Sequence, residues 1–440
     1  MKKFAFIGAG SLIFTRNVVR DLFTFPAFED AEIALMDIDP QRLQYATLCV
    51  EKIIREMGVP ATVTATADRR VALNGADGVV CTVFNGGIDV WRRDLEIPHK
   101  YGISMNIGDT RSVSGIFRAA RHIPLLLDIC HEIEELCPNA VFLNYTNPMA
   151  MLCRAMQLHT KVNVTGLCHS VQGTAAMLAH WLGVPKKELV YTCAGLNHLA
   201  FYTQLQHNGK DLYPALYQKI SQPSEYDKER VRNELCLRLG YYVTESSGHN
   251  SEYYAWFRKR PDLIEKYCAD CEGAHWNPGK ELYSIELYEQ RARDYLKTME
   301  EWLAKPIDKH APRSQEYAAE IFNAMFGDGQ PIEFNGNVIN DGCIPNLPAD
   351  TCVEIPVYAS KNGLRKCYVG PLPDGIAGVV SQTAMVENMA VDAIMEKNKQ
   401  KLIRAVFMDP LSSAVLSLAE IEAMCNDLFE ANKDYLGDWN

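Results

Sequence analysis

Phe4-Ala5-Phe6-Ile7-Gly8-Ala9-Gly10-Ser11 is an apolar run that breaks into a glycine turn and then enters a segment of helical periodicity. Four apolar residues bounded by glycine read as a short buried strand, Phe4–Ile7. Leu12, Val18 and Leu22 fall near one face of a helix over Ser11–Thr24, with Ser11 available as its cap. A strand that turns sharply on Gly8 and Gly10 into a helix brings backbone amides close to a bound phosphate. The next strand, Glu32–Met36, ends in Asp37, which places a carboxylate where ribose hydroxyls would lie. The position of a third glycine is taken by Ile13, so the fingerprint is incomplete. Gly8, Gly10, Ser11 and Asp37 are therefore candidate dinucleotide-binding residues. The acid favours NAD, because it would repel a 2′-phosphate.

The same rhythm continues outward. Helix Gln41–Met57, strands Ala61–Thr66 and Gly78–Phe84, helix Phe117–Leu136, strand Ala140–Leu143, helix Met149–His159 and strand Val162–Gly166 alternate. Alternation of this kind predicts an α/β fold with a doubly wound parallel sheet of Rossmann type. After about Ala194 helical segments dominate 225–325 and short strands run through 331–370, with helices expected over 381–408 and 413–432. The predicted division is a nucleotide-binding domain over 1–194 and a mixed α+β domain over 195–440, an architecture like that of lactate and malate dehydrogenases, with the site between the two.

Composition excludes several classes of protein. The 440 residues carry 44 Lys+Arg against 55 Asp+Glu, a net charge of −11, which gives no electrostatic reason to bind nucleic acid or an anionic membrane. No stretch approaches the roughly 20 apolar residues of a membrane span. The 14 cysteines are scattered, many inside apolar runs, and read as free thiols in a reducing compartment. The apolar run after Lys2-Lys3 is too short for a signal peptide, so a cytoplasmic location is expected.

Chemistry concentrates at predicted strand ends, where open α/β sheets bind ligands. The segments are Asn106-Ile107-Gly108-Asp109-Thr110, Asn144-Tyr145-Thr146-Asn147-Pro148, Cys168-His169-Ser170 and Asn197-His198. A thiolate at Cys168 and an imidazole at His198 could share a divalent metal; a buried cysteine and a backbone-satisfied histidine is the plainer reading of the same residues. Cys268-Ala269-Asp270-Cys271 with His275 is a weaker metal pattern, since it lacks a second pair. Glu245 to Tyr254 sets His249 and Tyr253 one helical turn apart around Glu252. That segment offers a general base or an aromatic packing patch.

These stretches together resemble glycoside hydrolase family 4, the NAD- and manganese-dependent glycosidases, and within it the α-galactosidase branch. The resemblance runs through Phe6–Ser11, Leu35–Pro40, Asn144–Ala150, Gly166–Thr174, Ala194–His198, Tyr242–Ser247, Asn335–Val338 and Asn346–Pro348. It implies NAD and Mn²⁺ as cofactors, Cys168 and His198 as metal ligands, Asn147 at the sugar and Asn144 at the cofactor. It implies His169 as the acid, a base at His249 with Tyr253 as the fallback, and Asp109 as the carboxylate that supports the base. Relatives follow Gly-Asp-Thr with a glycine-rich turn; here Arg111-Ser112-Val113-Ser114-Gly115 keeps one glycine. The side chains of Ser112–Ser114 are expected to crowd a ligand.

The chemistry implied departs from the usual two-carboxylate hydrolysis, and the NAD-dependent family is a known exception to it. Hydride leaves C3 of the sugar for NAD⁺, the resulting ketone acidifies the C2 proton, and a base removes it. The C1 substituent is then eliminated, water adds and the ketone is reduced again, so the net reaction is hydrolysis of a small carbohydrate. Three alternatives remain at this point. One is a hydroxy-acid dehydrogenase. Another is an α-galacturonidase, α-glucuronidase or α-glucosidase of the same family, with Arg92, Arg93 or Arg111 meeting a uronic carboxylate. The third is a silent nucleotide-binding protein. Relatives suggest a homodimer or homotetramer.

Overall fold

The computed structural model describes residues 1–269 and 280–440. Six strands lead the chain: β1 (Lys3–Ile7), β2 (Glu32–Met36), β3 (Thr62–Thr66), β4 (Gly78–Cys81), β5 (Val141–Asn144) and β6 (Asn163–Gly166). They are parallel, in the order β3-β2-β1-β4-β5-β6. This is the classical dinucleotide-binding arrangement, with its switch point between β1 and β4. Strands β1, β2, β4 and β5 are almost wholly buried, as expected when helices cover both faces. The helices are α1 (Leu12–Leu22), α2 (Pro40–Met57), α3 (Arg69–Leu73), α4 (Gly87–Lys100), α5 (Ser112–Leu136), α6 (Met149–His159) and α7 (Ser170–Leu182).

The sheet does not stop where a domain boundary was expected. Six further strands are β7 (Val190–Leu196), β8 (Leu199–His207), β9 (Lys210–Asp211), β10 (Ile332–Ile339), β11 (Cys352–Ser360) and β12 (Gly363–Lys366). The order continues β6-β10-β11-β7-β8-β9, with β12 on β11. Late strands β10 and β11 are thus inserted between β6 and β7, so residues on either side of 194/195 share one sheet. The joining pairs are Asn337 with Gly166 and Glu354 with Gly195. One core reflects this mixing: Ala5, Phe117 and Leu152 belong to the same buried cluster as Val391, Ile403 and Leu428.

The bounds of individual helices shift. Helix α5 begins at Ser112, five residues before the apolar periodicity suggested, and α4 and α3 were missed because their apolar positions are interrupted by charge. The expected helix 381–408 is two, Asp374–Met395 and Lys399–Phe407. Lys397 turns left-handed between them (φ 49°), and Asn398 caps the second by accepting from Lys401 N–H. Among the described residues every cysteine is free, and no helix is long and apolar enough to cross a membrane. The Cys268–His275 pattern lies partly outside the described residues.

Candidate active site

The turn after β1 is built for close approach. Gly8 has φ 85°, and a Cβ there would stand 2.9 Å from the backbone of Thr82, just past the end of β4. At Gly10 a Cβ would meet the Asp37 carboxylate and the Arg42 side chain, both at 2.6 Å. The Gly10 amide donates to Asp37 Oδ2 at 2.7 Å, so the acid at the end of β2 fixes the turn as well as bordering it. Ser11 makes no side-chain cap, contrary to expectation. The amides of Leu12, Ile13 and Phe14 therefore open the first turn of α1 without an intrahelical partner, which is an anion-binding mouth. Ile13, in place of a third glycine, is 60% exposed, so no close packing demands glycine there.

At the carboxyl ends of β5 and β6 and the tip of the β7–β8 hairpin, three segments converge. Cys168 Sγ lies 3.2 Å from His198 Nε2. His198 is the hairpin residue with φ 61°, a left-handed conformation that histidine enters more readily than most side chains. Its Nδ1 faces two hydroxyls, Thr110 Oγ1 at 3.1 Å and Tyr253 Oη at 3.3 Å. Those two contacts fix the ring and leave Nε2 toward the sulfur. Glu245 Oε2 stands 3.4 Å from the same Nε2. Cys168, His198 and Glu245 thus offer thiolate, imidazole and carboxylate within 4.8 Å of one another, and Asp109, His198 and His249 form a second such trio. Donors of this kind, converging and largely buried, fit a divalent metal.

His249 sits between two carboxylates, Nδ1 3.2 Å from Glu245 and Nε2 3.5 Å from Asp109. Burial would depress its basicity, but Glu245 and Asp109 outweigh that and raise it. Asp109 is pushed up by burial, yet His249, Arg118 and His198 hold it well below the usual carboxylate range. Its loop is clamped from behind. The buried carboxylate of Glu252 accepts from the amides of Asn106, Ile107 and Gly108 at 2.5, 2.7 and 2.9 Å. His169 is half-exposed, stacked on Phe14, with Nε2 2.8 Å from the buried carboxylate of Glu316. Asn147 gives Oδ1 to the Met149 amide at 3.2 Å and leaves Nδ2 for another partner.

The structure places four of the expected groups in specific surroundings. Arg92 is not at this cluster: it pairs with Glu289 and, at 3.4 Å, with Glu96. Asn144 is fully buried and its amide closes the turn, donating to Thr146 O at 3.0 Å and accepting from Thr146 N at 3.2 Å. Tyr253 Oη lies against His198 Nδ1 at 3.3 Å, while His249 is itself a member of the second donor trio. Ser112, Val113 and Ser114 do not crowd the cleft, because all three are buried: Ser112 Oγ donates to Asp409 at 2.9 Å and Ser114 Oγ to Gly108 O at 2.6 Å. Glu316 and Glu354 were missed, Thr110 was quoted without a role, and Glu245 was not seen as a ligand. A single acid carries no spacing signal, whether in a loop or, like Glu354, inside an apolar strand. Glu354, fully buried near Cys168, is pushed up to about 8, chiefly by burial.

A parallel sheet with a glycine-turn phosphate mouth, and a thiolate–imidazole–carboxylate cluster at the neighbouring strand ends, defines an enzyme built to use a dinucleotide and a metal ion together. The chain belongs to the family 4 glycosyl hydrolases: the family's model matches residues 3–184 and the model of its C-terminal domain matches 193–412. It is 37% identical to an α-galactosidase of Bacillus subtilis (strain 168), with both chains covered in full. It is 36% identical to an α-galactosidase of Rhizobium meliloti (strain 1021), over 99% of this chain and 89% of that one. A 6-phospho-α-glucosidase from gut microorganisms, solved with NAD and Mn²⁺, shares the fold at TM-score 0.82 and 20% identity, with all of both chains covered. Family membership sets aside the hydroxy-acid dehydrogenase reading.

Proposed function

We propose that the protein hydrolyses α-galactosides by the NAD-dependent, metal-assisted route of its family. The observation that carries this reading is the placement of the Cys168–His198 pair, 3.2 Å apart, on the same edge of the sheet as the Gly8–Ser11 turn. The two α-galactosidase relatives support the sugar. The residues fit both cofactors: open amides at Leu12–Phe14 suit a diphosphate, and donors within 4.8 Å suit a divalent cation. When bound, NAD⁺ exchanges hydride with C3 of the sugar while the metal polarises the neighbouring oxygens.

The protein's own groups do the rest. Cys168 and His198 hold the metal, with Thr110 and Tyr253 orienting the imidazole from its far side. Asn147 offers Nδ2 to a sugar oxygen. His249, held between Glu245 and Asp109, takes the C2 proton. His169, backed by Glu316, gives a proton to the departing glycosidic oxygen. Free thiols throughout the described chain support a reducing, cytoplasmic home, and a homo-oligomer belongs to the same reading, which light scattering would read directly.

The test is a panel of nitrophenyl α- and β-glycosides with NAD⁺, Mn²⁺ and a reductant, for the parent and Cys168→Ser. Nitrophenol release from the α-galactoside is expected only with both cofactors, and Cys168→Ser is expected to lose about a hundredfold or more. Accumulation of NADH without glycoside cleavage would overturn the glycosidase assignment. Equal activity in Cys168→Ser would remove the metal assignment.

A further inference from the structure

Two buried arginines project from α5 three residues apart, and they are treated differently. Arg121 is paired, with Nη1 and Nη2 on the Asp94 carboxylate at 3.1 and 2.6 Å and Nη1 also on Asn432 Oδ1 at 2.7 Å. Among the described residues Arg118 has one hydrogen bond, from Nε to the backbone carbonyl of Asn147 at 3.2 Å. Its Nη1 is buried without a partner, and among the described residues no carboxylate pairs with it. Burial lowers its basicity, and Asp109 is the largest electrostatic influence against that.

The guanidinium is nevertheless held firmly. Its carbon lies 4.6 Å from the Phe84 ring centroid and 5.2 Å from that of Trp91. The two rings, set nearly at right angles to each other, flank it, and the Nε bond to Asn147 pins one edge. The remaining edge, Nη1 and Nη2, is free. A desolvated guanidinium with an unmet donor is costly to keep unless something completes it. A planar fork whose orientation is already set suits two adjacent oxygens.

Position says which oxygens. Arg118 touches the main chain of Asn147 and acts on Asp109, which stands in a trio with His198 and His249. Two of the other arginines considered for a substrate are spent, Arg92 on Glu289 and Glu96 and Arg111 on Glu387 and Asn197 O, while Arg93 lies exposed and reaches Ala431 O. We propose that Arg118 is a substrate-binding residue whose free edge donates to two adjacent oxygens of the sugar that occupies the Asn147–Asp109 cleft. The proposal rests on the glycosidase reading above. Those oxygens are neighbouring hydroxyls in a neutral galactoside or the carboxylate in a uronide.

Calorimetry on the NAD⁺- and Mn²⁺-loaded protein separates these cases, with D-galactose and D-galacturonate as probes and Arg118→Lys and Arg118→Met as variants. Lysine keeps the charge and most of the stem but loses the fork, so it guards against a folding defect. Arg118→Lys is expected to weaken sugar binding about tenfold or more. NAD⁺ affinity, read by protein fluorescence, is expected to stay within about twofold. A loss confined to galactose identifies hydroxyls as the ligand oxygens; a larger loss for galacturonate identifies the carboxylate. Unchanged sugar affinity in both variants overturns the proposal, and so does a fall in NAD⁺ affinity that matches the fall for sugar. If the parent cleaves the α-galactoside while Arg118→Lys binds sugar normally, Arg118 alone is wrong. If the parent neither cleaves nor binds, the α-galactoside reading falls with it.

Discussion

Arg111 grips His198 from two sides. Its Nη2 donates to the carbonyl of Asn197, one peptide before the histidine, and its guanidinium lies over the ring of Tyr253, 5.3 Å from the centroid. Tyr253 in turn touches His198 Nδ1. Glu387 closes the arrangement with an ion pair to Arg111, both side chains being buried. An arginine at the entry to α5 thereby holds a left-handed residue and its ring in one orientation. Ser112, next to it, has φ 59°. Arg111→Met strips the carbonyl, the ring and Glu387 of their partner. Mn²⁺ affinity is expected to fall about tenfold to a hundredfold, as when an outer partner of a metal ligand is lost. Electron paramagnetic resonance of free Mn²⁺ measures it, and unchanged affinity would show that the hairpin holds His198 unaided.

His249 and Tyr253 separate by role. His249→Ala is expected to lower kcat by about 10²- to 10⁴-fold with metal affinity nearly kept, because it removes the proton acceptor. Tyr253→Phe removes one support of His198 and is expected to weaken metal binding with a smaller loss in kcat at saturating Mn²⁺. Isotope exchange at the C2 position of the sugar reads the proton-transfer step directly. Loss of exchange in Tyr253→Phe but not in His249→Ala would reverse the two assignments.

Asp37 both orders the turn and carries the charge beside it. Its Oδ1 accepts from Asp39 N at 2.9 Å, while Oδ2 holds Gly10. Asp37→Ala is expected to weaken NAD⁺ binding roughly tenfold to a hundredfold, the range for a lost charged hydrogen bond. NADP⁺ should lose less, since repulsion of its 2′-phosphate goes too. Fluorescence titration with both nucleotides checks this; a proportionate loss for the two would deny Asp37 a part in cofactor choice.

His122 makes stability depend on pH. Its Nε2 accepts from the Asn85 amide at 3.0 Å, so the proton sits on Nδ1 and is donated to Arg118 O at 2.8 Å. Burial, and then the charge of Arg118, push its pKa well below 6.5. The folded state keeps the ring neutral while the unfolded chain protonates near 6.5. The stability that depends on the neutral ring is therefore complete above about pH 6.5 and is lost as pH falls below it, by up to about 1.4 kcal/mol for each pH unit. Denaturant unfolding from pH 7.5 to 5.5 should show this slope in the parent and a shallower one in His122→Gln. Identical slopes would assign the acid sensitivity elsewhere.

The sequence by itself determined the nucleotide half of this protein. Gly8, Gly10 and Asp37 act through a turn and two adjacent strands, so short-range pattern and backbone sterics suffice to read them. The same alternation gave the parallel, doubly wound class of sheet, while the order β3-β2-β1-β4-β5-β6 came from the fold. Tertiary structure decided the rest. The continuation of the sheet through β10 and β11 was hidden because strand pairing across more than 130 residues leaves no local mark. Cys168 and His198 stood out at strand ends as one of two readings of those residues, and family likeness strengthened the pairing. Only the fold brings Glu245 to His198, Glu316 to His169 and Glu387 to Arg111, since each acid is ordinary in sequence and acquires its role by burial beside a cation. It also placed Arg92 with Glu289 and left Arg118, unremarked in sequence, with an open edge. Local geometry is encoded locally; electrostatic partnership is a property of the packed whole.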